Sequence, residues 1–297
     1  MSHADKELFP GFESRRLPGA GTDIAFVIGG SGPPLLLLHG YPQTHAMWHA
    51  IAPRLAEHHT VVCADLRGYG DSGKPDGGAR SSGYSKRATA ADQVAVMRQL
   101  GFARFGLAGH DRGGRVAHRL CLDHPDAVER VAVLDISPTR VMYGRTDKAF
   151  ATAYYHWFFL IQPFDLPERL IGADPGYYLR RQMGGLSPGG PAMDPRALAE
   201  YERCFADPAT IHASCEDYRA AAGIDLDHDA ADAEARIRCP LLVLWGDRGV
   251  VHRLFDPLAD WGAVAVEVRG RALSCGHFLP EEAPAETCAA LAEFFAA

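Results

Sequence analysis

Short runs of consecutive apolar residues recur along the chain and predict buried β-strands. Runs without alternating polar positions are typical of strands that are covered on both faces in a parallel sheet. Stretches of good helix formers separate most of the runs, so the pattern predicts an α/β fold with right-handed crossovers and a mostly parallel central sheet. The predicted strands are 23–28, 35–38, 61–64, 105–109, 131–134, 241–245 and 264–268.

The strand–helix alternation stops after Pro138 and returns with the apolar run that begins at Leu241. The intervening chain is rich in aromatic residues, is broken by Pro and Gly, and shows no strand pattern. We expect residues 139–223 to form a helical cap, inserted after the sixth core strand over the carboxyl edge of the sheet. Residues 1–138 and 224–297 then form the core domain, and residues 1–22 are predicted to be a polar lead-in.

Composition narrows the class of protein only modestly. The 297 residues are 47% hydrophobic and 23% charged, as in an ordinary soluble domain with a sizeable core. A net charge of -7 argues against nucleic acid as a partner, because neutralising phosphate needs a basic face. No leader or membrane-spanning run is visible, and the seven cysteines form no C-x-x-C pair, so we expect no membrane partner, no disulfide framework and a cytoplasmic location.

The segment 105–115 carries the most informative chemistry. An apolar strand ends in Gly109-His110-Asp111-Arg112-Gly113, with small residues where a sharp strand-to-helix turn needs them. In the nucleophile elbow the central position is a serine, and here it is Asp111. A carboxylate that attacks a saturated carbon forms an ester, which an activated water can open at the carbonyl, whereas a serine would form an inert ether. This position therefore predicts displacement followed by ester hydrolysis.

A histidine and a second acid complete the predicted catalytic set. His277 is expected to activate the water, with Asp135 orienting its ring. Asp247, which follows a later strand, is the alternative to Asp135, and the spacing after Trp245 favours Asp135. The chain order nucleophile, acid, histidine is that of the α/β-hydrolase fold.

Backbone and side-chain donors are expected around Asp111. The N–H groups of Arg112 and Tyr41 are the predicted oxyanion hole. Arg112 and Arg115 lie three positions apart on one helix face, and planar guanidinium groups match a carboxylate. The arginine pair thus indicates a substrate that carries its own carboxylate, with no metal and no organic cofactor implied.

With these features in place, the sequence resembles the haloacetate dehalogenases, including the fluoroacetate dehalogenases, of the α/β-hydrolase superfamily. The resemblance implies that Asp111 attacks the α-carbon of a small halocarboxylate while Arg112 and Arg115 hold its carboxylate. It further implies that His156, Trp157 and Tyr218 donate hydrogen bonds to the leaving halide, and that the protein forms a homodimer. The matching stretches are 39–44, 109–113, 134–136, 155–157, 215–219 and 276–282, together with Arg115.

Three alternatives remain open at this point. An epoxide hydrolase uses the same Asp-His-Asp set, usually with two cap tyrosines, of which only Tyr218 has an obvious counterpart here. A non-catalytic binder of small acids would not need the complete set, and an esterase would need Ser at position 111.

The segment Met183-Gly184-Gly185-Leu186 lacks an aromatic residue that relatives carry nearby, which suggests a pocket that accepts larger 2-halo acids.

Overall fold

The computed structural model describes residues 3–187 and 193–296, whose strands form one twisted sheet. Its eight strands have the order β1-β2-β4-β3-β5-β6-β7-β8. β1 and β2 pair antiparallel with their neighbours, and every pairing from β4 to β8 is parallel. The strands are β1 (Glu13–Pro18), β2 (Asp23–Gly29), β3 (Pro34–Leu38), β4 (Thr60–Ala64), β5 (Phe105–His110), β6 (Val128–Leu134), β7 (Leu241–Gly246) and β8 (Val268–Leu273).

Helices cover both faces of this sheet, which confirms the predicted α/β-hydrolase fold. The central strands are buried along nearly their whole length because the crossover helices exclude water from both sides. The core helices are α1 (His3–Leu8), α2 (Ala52–Leu55), α3 (Lys86–Gln99), α4 (Arg112–Asp123), α13 (Val250–Leu254), α14 (Pro257–Gly262), α15 (Leu279–Glu282) and α16 (Pro284–Ala296).

A run of helices follows the sixth strand, where the cap was expected. It contains α5 (Thr139–Gly144), α6 (Lys148–Ala153), α7 (Tyr155–Phe159), α8 (Leu166–Gly172), α9 (Pro175–Leu186), α10 (Pro195–Phe205), α11 (Pro208–Ala222) and α12 (Ile224–Ala231). α12 extends the helical run into the segment that was predicted as core. The predicted boundaries of the cap at 139 and 223 remain an expectation.

Two predictions at the edges of the sheet were wrong. Residues 13–18 form β1 instead of a polar lead-in, and the last strand covers Val268–Leu273 instead of 264–268. Both are edge strands with partly exposed side chains, so they lack the continuous apolar run by which a fully buried strand is recognised. All seven cysteines are free, and within residues 3–187 and 193–296 no helix is long and apolar enough to cross a membrane.

Candidate active site

The turn from β5 into α4 holds Asp111 in a strained backbone conformation. Its φ is 45° and its ψ is −112°, a region that residues with a Cβ rarely adopt. Glycine is required on both sides, because a Cβ on Gly109 would collide with the backbone of Gly113, and one on Gly113 with the carbonyl of Leu38. The structure thus forms the sharp turn that the sequence predicts, and it presents a carboxylate at the carboxyl edge of the sheet.

The carboxylate of Asp111 accepts a hydrogen bond from the loop after β3. The backbone N–H of Tyr41 lies 3.0 Å from Oδ2. Gly40 allows this close approach, because a Cβ there would collide with the Asp111 side chain. Burial raises the pKa of Asp111, but the charges of His277 and Arg115 outweigh it and hold the pKa below its usual value. The predicted nucleophile is therefore ionised at neutral pH without the help of a base.

His277 and Asp135 form a buried pair beneath this carboxylate. The distance from His277 Nδ1 to Asp135 Oδ2 is 2.6 Å, and the N–H of Gly246 donates to Asp135 Oδ1 at 3.0 Å. Burial lowers the pKa of His277, but the hydrogen bond to Asp135 reverses this, so its pKa is raised. Asp247, the alternative acid, instead accepts a hydrogen bond from Ser274 at 3.1 Å. The geometry therefore brings Asp135, and not Asp247, to the imidazole.

The loop that carries His277 is fixed by contacts from both sides. Glu282 accepts the N–H groups of Gly276 at 2.7 Å and of Phe278 at 2.8 Å. Ser187, at the end of cap helix α9, hydrogen-bonds to Glu282 and accepts the N–H of His277 at 3.0 Å. The position of the imidazole thus depends on the helices that follow β6 as well as on its own loop.

Arg112 is buried and is already paired with a carboxylate of the protein. Its Nε donates to Asp217 Oδ2 at 2.6 Å, and Nη2 donates to the Asp217 carbonyl at 2.8 Å. Asp217 also binds Lys86 and accepts the hydroxyl of Tyr69 at 2.9 Å. Burial lowers the pKa of Arg112, but the charge of Asp217 more than compensates, so the guanidinium stays charged. Within the described residues Nη1 has no partner.

Arg115 is held by the segment that follows β6. Nη1 donates to Thr139 Oγ1 at 2.8 Å and lies 3.4 Å from the Ser137 carbonyl, while Nη2 lies 3.2 Å from Met142 Sδ. Its Nε has no partner within the described residues. Most N–H donors of both guanidinium groups are thus already bonded within the protein. Neither arginine therefore offers a substrate carboxylate a complete bidentate pair of donors. A carboxylate would instead receive one N–H from each guanidinium.

Three cap side chains predicted to contact a halide lie close together beside the arginines. Tyr218 lies under Arg112, with 4.2 Å from Cζ to the ring centre, and Trp157 lies under Arg115 at 4.6 Å. The rings of His156 and Tyr218 are 5.7 Å apart. Burial lowers the pKa of His156 to about 3, so its ring is neutral at pH 7. The Nε1–H of Trp157 and the hydroxyl of Tyr218 are buried and have no hydrogen-bond partner in the described part of the chain. Buried donors without a protein partner are expected where a ligand binds.

Sequence reasoning missed the residues that support this site. Asp217 stands next to Tyr218 in a matching stretch, but nothing in the sequence pairs it with Arg112 and Lys86. Gln182, whose amide lies 2.9 Å from His156 Nδ1, likewise gave no signal. Each contact joins segments far apart in the chain, and an alignment of relatives that showed these positions as invariant would have been the signal to look for.

No group of His, Cys, Asp and Glu in the described residues has a geometry that could hold a metal ion. His45, whose spacing from His49 invites a zinc interpretation, instead lies 2.9 Å from buried Asp65.

Comparison with known proteins supplies the family. The model of the alpha/beta hydrolase fold matches residues 33–284. The chain belongs to the α/β-hydrolase superfamily. A fluoroacetate dehalogenase from Burkholderia sp. is 49% identical over 97% of this chain and 95% of its own, which confirms the resemblance to the haloacetate dehalogenases.

Other members of the superfamily are also similar along nearly the whole chain. A soluble epoxide hydrolase from Corynebacterium sp. (strain C12) is 37% identical over 93% of this chain and 94% of its own. The crystal structure of an α/β hydrolase from Nostoc sp. PCC 7120 superimposes with a TM-score of 0.94 at 58% identity, covering 96% of this chain and 98% of that one. Relatives of two hydrolytic activities thus share this architecture.

Proposed function

We propose that this hydrolase is a haloacetate dehalogenase that converts fluoroacetate, and larger 2-halo acids, to 2-hydroxy acids and halide. The observation that carries the proposal is the pair of unpartnered donors, Arg112 Nη1 and Arg115 Nε, next to Asp111. Two buried nitrogen donors on two guanidinium groups suit a substrate carboxylate, and a substrate without an acceptor at this position would leave them unpaired. The similarity to a fluoroacetate dehalogenase supports the same substrate class.

The first step of the proposed reaction is an SN2 displacement. Asp111 Oδ2 is engaged by the Tyr41 N–H, so the other oxygen, Oδ1, attacks the carbon that bears the halogen. The carbon–oxygen bond forms as the carbon–halogen bond breaks, and the halide leaves with the bonding electron pair. Trp157, Tyr218 and His156 would donate to the departing halide, where charge develops in the transition state.

The second step hydrolyses the ester formed on Asp111. Neutral His277 takes a proton from water, whose oxygen adds to the Asp111 carbonyl carbon while Asp135 stabilises the imidazolium. The Tyr41 N–H, and the Arg112 N–H that we also assign to the oxyanion hole, stabilise the negative oxygen. The 2-hydroxy acid then leaves with the proton from His277, and one carboxylate oxygen of Asp111 now comes from water.

Fluoride release is the direct test of this function. Purified protein is incubated with fluoroacetate, chloroacetate or bromoacetate, and halide is measured with ion-selective electrodes. A single turnover in ¹⁸O-water should place the label in Asp111 and not in the first product. Absence of halide release from all three acids would overturn the proposal.

An epoxide hydrolase is the second candidate, because a specific observation favours it. Tyr143 and Tyr218 both have buried hydroxyl groups without a partner among the described residues, and two such donors could bind an epoxide oxygen. Tyr143 packs against Trp157, with ring centres 4.8 Å apart and ring planes tilted by 52°, so it belongs to the same cluster. Diol formation from styrene oxide without halide release from haloacids would select this alternative.

The setting of the reaction is part of the proposal. We expect a small-molecule halocarboxylate as the only substrate class, a cytoplasmic homodimer, and no dependence on nucleic acid, membrane or cofactor. Light scattering of the purified protein tests the dimer. Activity that survives extensive dialysis against a chelator would support the absence of a metal.

A further inference from the structure

A cavity lies outside the proposed active site, between the core helix α4 and the helices α5 and α12. Its volume is about 390 Å³, which is within the size range of small-molecule sites. The lining residues that matter here are His118, Leu122, Arg140, Val141, Asp229 and Val264.

This cavity shares a wall with the proposed substrate site. In the segment after β6, the side chains of Thr139 and Met142 contact Arg115. The two residues between them, Arg140 and Val141, line the cavity instead. Arg115 itself lies one helical turn before the cavity residue His118 on α4. A ligand in the cavity would therefore contact residues 139–142, the segment that holds Arg115.

One buried ring nitrogen in the cavity wall has no partner. His118 is only 8% exposed, and its Nε2 makes no hydrogen bond within the described residues. Burial, together with the nearby charges of Arg119 and Arg115, lowers the pKa of His118 to about 4, so the ring is neutral. A buried polar atom without a partner costs free energy that a bound ligand would recover.

Two side chains of opposite charge in the wall, exposed Arg140 and half-buried Asp229, make no ion pair among the described residues. Arg145 is paired with Asp260 at 2.8 Å, and Asp232 with Arg119 at the same distance. By contrast, no ion pair within 4.0 Å involves Arg140 or Asp229 in the part of the chain that is described. The cavity thus presents a guanidinium group, Arg140, and a carboxyl group, Asp229, that no ion pair of the described residues engages, beside the apolar side chains of Leu122, Val141 and Val264.

We propose that this cavity binds a small organic acid with a hydrogen-bond donor on the carbon next to its carboxylate, and that its occupancy alters how Arg115 holds the substrate. The ligand carboxylate pairs with Arg140, its hydroxyl or amino group donates to Asp229 or His118, and its apolar part packs on Val141. A 2-hydroxy acid and an apolar 2-amino acid share this chemistry. The effect on Arg115 rests on the proposed dehalogenase function, whereas binding in the cavity does not.

Calorimetric binding of defined probes tests the site. Mandelate and phenylglycine present the two kinds of donor, and phenylacetate is the control that lacks one. We expect the cavity site to be lost, with its Kd raised at least tenfold, in Arg140→Gln and in Val141→Trp, which fills the cavity. Arg104→Gln, which alters a surface arginine paired with Glu129, should bind as wild type does. Equal binding by wild type, Arg140→Gln and Val141→Trp would overturn the proposal.

Kinetics then tests the coupling to Arg115. Arg140→Gln should keep the wild-type kcat/KM for fluoroacetate, since Arg140 is outside the catalytic set. Whichever probe binds the cavity should change the KM of wild type but not that of Arg140→Gln. Simple competition of equal strength in both proteins would show binding at the active site alone and overturn the coupling. Without any dehalogenase activity the proposed function fails, while the calorimetric result still decides the cavity site.

Discussion

The backbone N–H of Tyr41 donates to Oδ2 of Asp111 at 3.0 Å, and this N–H is one of the two donors of the oxyanion hole that we propose. This hydrogen bond fixes one carboxylate oxygen and leaves the other to react. In the proposed mechanism the held oxygen becomes the carbonyl oxygen of the ester, and it becomes negative when water adds. A donor that is already in place costs no reorganisation at that moment.

Replacing Asp111 by Asn should abolish turnover, with kcat reduced by about 10⁴-fold or more. An amide is a poor nucleophile, but it retains the shape of the site, so haloacetate should still bind. The matched variant His277→Ala keeps the nucleophile and lacks the base, and should release about one halide per active site and then stop. Rapid-quench halide measurement and intact-protein mass spectrometry check both results. Unchanged turnover by Asp111→Asn would exclude the covalent mechanism.

Asp135→Asn should change the pH profile as well as the rate. Hydrolysis needs neutral His277, and Asp135 raises the pKa of His277 above its usual value near 6.5, so the acid limb of kcat should lie above pH 6.5 in wild type. Without the carboxylate, burial dominates and the limb should move to lower pH, while the maximal rate falls by about 10³–10⁴-fold. Asp247→Asn is the control, and an equal shift in that variant would contradict the pairing.

Trp157→Phe should impair defluorination more than debromination. The substitution keeps an aromatic ring beneath Arg115 and removes one N–H. Fluoride concentrates its charge and depends strongly on donors, so we expect a loss of about 10²-fold with fluoroacetate and of about tenfold or less with bromoacetate. Trp48→Phe removes another buried indole N–H that has no partner in the described residues, and as the control it should leave the ratio of the two rates unchanged. An unchanged ratio of the two rates in Trp157→Phe would remove this residue from the halide site.

Asp217→Asn tests the charge balance at Arg112. The amide oxygen can still accept from Arg112, but the negative charge is lost, so the guanidinium should bind anions more tightly. We expect a several-fold lower KM for haloacetate and stronger inhibition by free halide, measured by steady-state kinetics, at a stability cost of about 3 kcal/mol.

A buried aspartate elsewhere gives the matched control for that variant. Asp92 accepts from Arg67 at 2.6 Å, the same distance as in the Arg112 pair, but outside the site. Asp92→Asn should lose stability without any change in KM. A higher KM in Asp217→Asn would show that Asp217 acts by orienting Arg112 rather than by balancing its charge.

Glu281→Gln should remove a pH dependence of stability. Half-buried Glu281 accepts from Tyr201 at 2.9 Å and from Gln43 at 2.5 Å, and desolvation raises its pKa to about 8. The folded protein then binds a proton that the unfolded chain releases above about pH 4.5, so wild-type stability should fall by up to about 1.4 kcal/mol per pH unit between about pH 4.5 and 8. The variant carries no such proton. Denaturant titrations from pH 5 to 8 that give parallel curves for both proteins would contradict this.

The sequence by itself determined the features that depend on neighbouring residues. The buried strands could be recognised because burial on both faces demands an uninterrupted apolar run, and the elbow because a backbone at φ 45° tolerates only small flanking residues. The candidate chemistry followed from one residue type, Asp111, at one position of that turn. The edge strands β1 and β8 were not predicted correctly, because a partly exposed strand needs no uninterrupted apolar run.

Only the tertiary structure decided which charged groups meet. Asp135 and Asp247 both follow strands, and only the folded sheet places the first of them 2.6 Å from His277. Asp217, on helix α11, contacts Arg112 although the two residues are 105 positions apart in the chain. This contact uses most of the guanidinium donors that the sequence analysis assigned to the substrate. Electrostatic and hydrogen-bond energies depend on distances of a few ångströms between remote segments, and the order of residues along the chain does not specify those distances.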